Sequence, residues 1–151
     1  MIKRRVYVIR ALIVLLSVSV IFVAGAAPDS DKEFYVIVNV DNSIDSISAN
    51  QLSRIFNKKV KKFENDMASL PVAQKNSRPV TKIFNKTILK KNAKQLKYYW
   101  ARKMFSGSSK PPKSLASDTE VVKFVASLKN AVGYVSEIPT NKKVKVILID
   151  P

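Results

Sequence analysis

The chain contains no cysteine and no histidine. Without cysteine there is no disulfide, no thiolate metal site and no lipid-modified N-terminal cysteine. Without histidine the usual general base and the commonest metal ligand are both gone. Acids are few, 11 Asp and Glu against 27 Lys and Arg, for a formal charge of +16. The carboxylates that exist show no pair at a spacing suited to acid–base work, and Asp41 and Asp45 fit a turn better than a metal. An enzyme is therefore not expected, and no cofactor is implied. No internal repeat and no low-complexity tail is present.

What remains is a basic chain of 151 residues, room for one domain with a sizeable core. Its charge implies an anionic partner. The first residues indicate a compartment. Lys3, Arg4, Arg5 and Arg10 precede the apolar run ALIVLLSVSVIFV and then AGAA. This is the pattern of a secretory signal peptide over 1–26, leaving a domain over 27–151. An uncleaved anchor is the alternative, because the apolar run approaches bilayer length. Removing those four basic residues from the 27 leaves 23 against 11 acids, or +12. Export into a bacterial periplasm argues against a nucleic-acid partner.

Along the domain, FYVIVNV (34–40) is β-branched and nearly continuous in apolar character, which predicts a buried strand. Ser48 with Gln51 predicts a capping box for a helix over 48–56, ended by a left-handed Asn57. Residues 58–69 alternate like a short exposed hairpin, and 70–73 suit a brief strand. Pro79 opens a helical pattern over 79–89. Asn92 with Gln95 and Ser117 with Glu120 predict caps for helices over 93–105 and 117–128, with GSSKPPKS (107–114) as a loop between them. Leu96, Trp100 and Met104 are in step on one face, and Tyr98, Tyr99 and Trp100 are read as packing residues. Strands are expected at 131–135 and 144–149, the last lying near the first. Strands separated by helices make an α/β layer fold.

Two features concern anions. Between Asp66 and Asp118 lie 51 residues without an acid and with 12 Lys and Arg. Within them KNSRPVTKIF (75–84) places basic and hydroxyl side chains where a helix begins. A helix start favours negative charge, so cations there make sense if an anion arrives from outside.

Four phrases in order, LSRIFNKKVKKF (52–63), PVTKIFNKTIL (79–89), YYWARKMFSGSSKPPK (98–113) and NAVGYVSEIP (130–139), carry a family resemblance. Over residues 34 to 149 the chain resembles the periplasmic phosphate-binding proteins of ABC phosphate transporters, in particular a short, single-lobed branch. The resemblance implies a periplasmic-binding-protein-like lobe with a central mixed sheet flanked by helices. It implies a periplasmic protein that binds an inorganic oxyanion, phosphate first, without catalysis, and that works with an ABC transporter permease or another envelope protein. In the family, hydroxyls, an arginine and helix-terminal amides hold the anion. Carried over, the candidates are Ser77, Arg78, Thr81, Lys75, Asn76 and Tyr134.

Three departures accompany it. Aligned on Phe84, Arg78 stands at the family's serine position and Thr81 at its arginine position. Asn57 replaces a glycine, and the opposite lip of the two-lobed proteins has no counterpart. Asn39, at the end of the first strand, is a further candidate, and Gly133 marks a close approach or a hinge. The alternative function is an interaction protein whose basic face meets a polyanion or an envelope partner.

Overall fold

The computed structural model describes residues 34–151. The expected signal peptide over 1–26 lies outside them. Six strands form a mixed sheet: β1 (Tyr35–Asn39), β2 (Ser46–Ser48), β3 (Leu70–Gln74), β4 (Lys113–Leu115), β5 (Ala131–Val135) and β6 (Val144–Asp150), in the order β2-β6-β1-β5-β3-β4. β1 runs antiparallel to both neighbours, pairing Ile37 with Gly133 on β5 and with Val146 on β6. The three outer pairings, β2 with β6, β3 with β5 and β3 with β4, are parallel. This is the expected mixed α/β sheet, with the last strand beside the first.

Helices cover both faces, which explains the unbroken apolar run of β1. Val36 and Val38 pack with α1 (Ala49–Phe56), α2 (Pro79–Phe84) and the π-helical turn that continues it (Asn85–Leu89), through Leu52, Ile55, Phe56, Val80, Phe84 and Ile88. Leu96 of α3 (Ala93–Phe105) joins this layer. Ile37, one residue out of phase, packs on the opposite face against Val121 and Val125 of α4 (Asp118–Ser127). Period-two alternation between two covered faces requires apolar residues at every position.

The predicted caps sit as the local chemistry requires. Ser48 accepts from the Gln51 N–H at 3.1 Å, but the Gln51 amide donates to the Lys62 carbonyl instead of completing the box. Asn92 and Gln95 form the full reciprocal box. Ser117 accepts from the Glu120 N–H, and the Glu120 carboxylate accepts from Ala116.

Several expectations need correction. Asn57 is not left-handed; Lys58 is, with φ of 54°, because the Asn57 amide turns back to the Ser53 carbonyl at 2.8 Å. The hairpin over 58–69 reduces to a single bridge between Lys62 and Ala68, since Phe63 is drawn into the core. The strand β4 enters the expected loop, and β2 precedes α1. The 79–89 helix changes from α to π at Asn85 and ends at Lys90, left-handed at φ 52°. Met104 and Tyr98 of α3 are more than half exposed.

Gly133 is a close-approach position. A Cβ there would meet Val121 Cγ1 at 2.6 Å and Val72 Cγ1 at 3.0 Å. The missing side chain lets α4 settle onto the centre of the sheet.

Candidate functional site

Strand β3 ends at Gln74, and the chain turns through Lys75–Arg78, closed by the Arg78 N–H to the Lys75 carbonyl at 3.0 Å. Pro79 then begins α2. Arg78 occupies the cap position in extended conformation with no side-chain cap bond. Ser77 is exposed and makes no side-chain hydrogen bond among the described residues. Two residues into the helix, Thr81 points inward and is buried.

Thr81 faces β5. The Tyr134 hydroxyl donates to Thr81 Oγ1 at 3.2 Å and accepts from the Gln74 N–H at 3.1 Å. Its ring stacks on Phe84 with centroids 4.0 Å apart, and Phe56 lies against both rings. Burial raises the phenol above its ordinary value, and the two hydrogen bonds only partly offset that. Tyr134 is therefore a neutral donor in this pocket.

Beside this pair lies a carboxylate-centred network. Asp118 accepts from Gln74 Nε2 at 2.7 Å, from the Ser136 N–H at 2.8 Å and from the Ser136 hydroxyl at 2.5 Å. Arg78 donates from Nε to Gln74 Oε1 at 3.3 Å and stands 3.8 Å from Asp118. Burial alone would raise the Asp118 carboxyl, but the bonds from Ser136 and Gln74, with Arg78 nearby, outweigh it and hold the acid below its ordinary value. Arg78 thus has an acidic partner that its sequence neighbourhood does not reveal.

A cleft of about 580 Å³ opens over the Thr81–Tyr134 pair, between α2 and α3. Phe56, Phe84, Leu96 and Trp100 supply apolar wall; Asn76, Ser114, Lys94 and Lys97 supply polar groups, and no carboxylate lines it. Of the six candidates, Thr81, Asn76 and Tyr134 reach this cleft. Lys75 and Ser77 project to solvent on the turn, and Arg78 is directed at Gln74 and Asp118. Lys94, Lys97, Gln74 and Asp118 were not singled out by sequence. The lysines are indistinguishable from a solvated helix face, and the Gln74–Asp118 contact spans 44 residues. Asn39 serves α4: its amide donates to the Val125 and Ala126 carbonyls at 3.0 and 3.1 Å. Tyr99 packs partly through its hydroxyl, which donates to the Asn57 carbonyl at 2.7 Å. No group of three His, Cys, Asp or Glu placed to hold a metal occurs among the described residues.

The fold is similar to solved phosphate-transport receptors. A protein assigned as a phosphate ABC transporter substrate-binding protein from Clostridium perfringens, with phosphate bound, superposes with a TM-score of 0.62 at 16% identity, over 78% of this chain and 45% of its own. PstS from Borrelia burgdorferi gives 0.58 at 12% identity, over 78% and 47%. An ABC-type phosphate transport receptor from Vibrio cholerae gives 0.51 at 16%, over 76% and 45%. The chain spans less than half the length of these structures. No protein-family model and no curated protein sequence matches it.

Proposed function

We propose that this protein is an exported, non-catalytic binding module for an inorganic oxyanion, with phosphate as the first ligand to consider. The observation that carries the reading is the carboxylate-free cleft over the Thr81–Tyr134 pair, on a fold similar to phosphate-transport receptors. Thr81 Oγ1 accepts from Tyr134, so its own hydroxyl hydrogen is free to donate into the cleft. Asn76, Ser114, Lys94 and Lys97 add neutral and cationic donors around it. Arg78, tethered through Gln74, is the cation that could swing from Asp118 to an arriving anion. Charged acceptors form the stronger hydrogen bonds, and apolar walls reduce screening. The N-terminal pattern supports a signal peptide over 1–26 and periplasmic residence. A permease or another envelope protein is the proposed partner.

The test is calorimetry of the wild-type protein, Thr81→Val and Arg78→Ala with phosphate and sulfate. Loss of a donor to a charged ligand weakens binding by about 1.5–3 kcal/mol, roughly ten- to hundredfold. A wild type that binds neither anion would overturn the reading.

The second reading, an interaction protein with a basic face, is favoured by the acid-free 67–117 segment. Binding through a diffuse face fades as salt screens it, whereas a desolvated pocket holds its ligand at moderate ionic strength.

A further inference from the structure

A second cleft, of about 630 Å³, opens between the π-helical turn and the start of α3. Lys82, Lys86, Lys90 and Lys91 line it, and no carboxylate does. Lys91 is already engaged: its Nζ donates to the Leu89 carbonyl at 3.1 Å and lies 5.4 Å from the Tyr99 ring centre. Lys82, Lys86 and Lys90 are exposed, and no carboxylate among the described residues lies within ion-pairing distance of them. Like charges one helical turn apart repel each other. A row of three around one concavity is unfavourable until an anion neutralises it.

The neutral groups in the wall are donors as well. Asn92 Oδ1 accepts from the Gln95 N–H, and Gln95 Oε1 accepts from the Asn92 N–H, both at 2.9 Å. The capping box consumes the two side-chain oxygens, so each amide has only its NH2 left to offer. Both residues line the cleft. The third amide, Asn85, is 9% exposed, faces the same space and makes no side-chain hydrogen bond among the described residues. Its amide is open to the cleft and free to donate to whatever enters it. It also sits where the helix changes from α to π, a distortion frequent at functional sites. The first N–H groups of α3, at Ala93 and Lys94, are left unpaired by helix geometry and add to the same polarity.

We propose that this cleft binds a multiply charged phosphoryl anion, a chain of two or three phosphoryl groups, through Lys82, Lys86, Lys90 and the amides of Asn85, Asn92 and Gln95. Lys82 and Lys86 lie about one turn apart and Lys90 follows at the left-handed end of the helix, so the three ammonium groups are spread more widely than one orthophosphate can bridge. Lysine is a mobile point charge without the planar fork of arginine, which suits an extended chain of charges. The cleft shares Asn76, Asn85 and Ala93 with the one over Thr81, but Lys82, Lys86 and Lys90 line only this one, so the proposal does not depend on phosphate binding over Thr81.

Tripolyphosphate and orthophosphate are titrated into the wild-type protein by calorimetry at low and moderate salt. Tripolyphosphate binds more tightly than orthophosphate at this site, and its affinity falls with salt. Lys86→Gln with Lys90→Gln, the cleft pair, weakens it at least on the order of tenfold. Lys142→Gln with Lys143→Gln, a pair of exposed residues that removes the same charge outside the cleft, leaves it nearly unchanged. The four substituted lysines are exposed, so the variants fold, and their melts are no lower than that of wild type. The proposal is overturned if wild type does not bind tripolyphosphate. It is equally overturned if the control pair weakens binding as much as the cleft pair.

Discussion

The hydroxyl of Tyr134 on β5 reaches Thr81 Oγ1 on α2 across 3.2 Å, at the floor of the first cleft. The same oxygen accepts the Gln74 N–H where β3 ends. One phenol therefore joins a strand end, a helix start and the central sheet. Replacing it with Phe keeps the stacking on Phe84 and deletes the polar link. Tyr134→Phe leaves the Gln74 N–H buried without a partner, for a loss of about 1–3 kcal/mol. Chemical denaturation with an unchanged m-value checks this; a loss near zero would mean that water replaces the hydroxyl.

Gly133→Ala tests the packing of α4 on the sheet. The new methyl would stand 2.6 Å from Val121 Cγ1 and 3.0 Å from Val72 Cγ1. Overpacking of that kind costs about 1–3 kcal/mol. The double variant Gly133→Ala with Val121→Ala recovers part of the loss if that clash is its source. Thermal melts of both proteins give the answer.

Asp118 predicts how stability responds to acid. Its folded carboxyl lies below the ordinary value of 3.8. A depressed acid contributes stability that is present above its unfolded value and is lost as pH falls through the folded value. Wild type should lose stability as pH drops below about 3.8, and Asp118→Asn should lose less over that window while being weaker at neutral pH. Melting temperatures between pH 7 and pH 2.5 would show parallel curves if Asp118 played no part.

Asn92→Ala removes a cap from α3, whose one buried side chain is Leu96. Loss of a capping side chain costs about 1 kcal/mol. Local opening of α3 should rise more than global unfolding, since the helix adds little to the core. Hydrogen exchange at residues 93–97 would accelerate while β1 and β5 stay protected.

Helix starts and central strands were legible because their signals are local. Ser48, Asn92 and Ser117 announce their helices through atoms three residues away. β1 announces burial on both faces through its composition alone. The short edge strands β2 and β4 were not legible, since three residues carry no period and exist only because β6 and β3 offer them partners. At the candidate site, Thr81 and Tyr134 were named from sequence, but their contact was not foreseen. The acid beside Arg78 lies 40 residues downstream, beyond α2, α3 and β4, where no local pattern points to it.

By itself the sequence determined that this protein has no disulfide and no histidine chemistry, that it is strongly basic, and where three helices are capped. These follow from composition and from hydrogen bonds that close within one turn. Tertiary structure alone decided the strand order, the pairing of Arg78 and Gln74 with Asp118, the π-helical turn at Asn85 and the lysine-lined cleft beside it. Each of those depends on groups brought together by closure of the sheet, across separations of 44 residues for Gln74–Asp118 and 53 for Thr81–Tyr134. No local period encodes such meetings; they follow from which faces must be buried together.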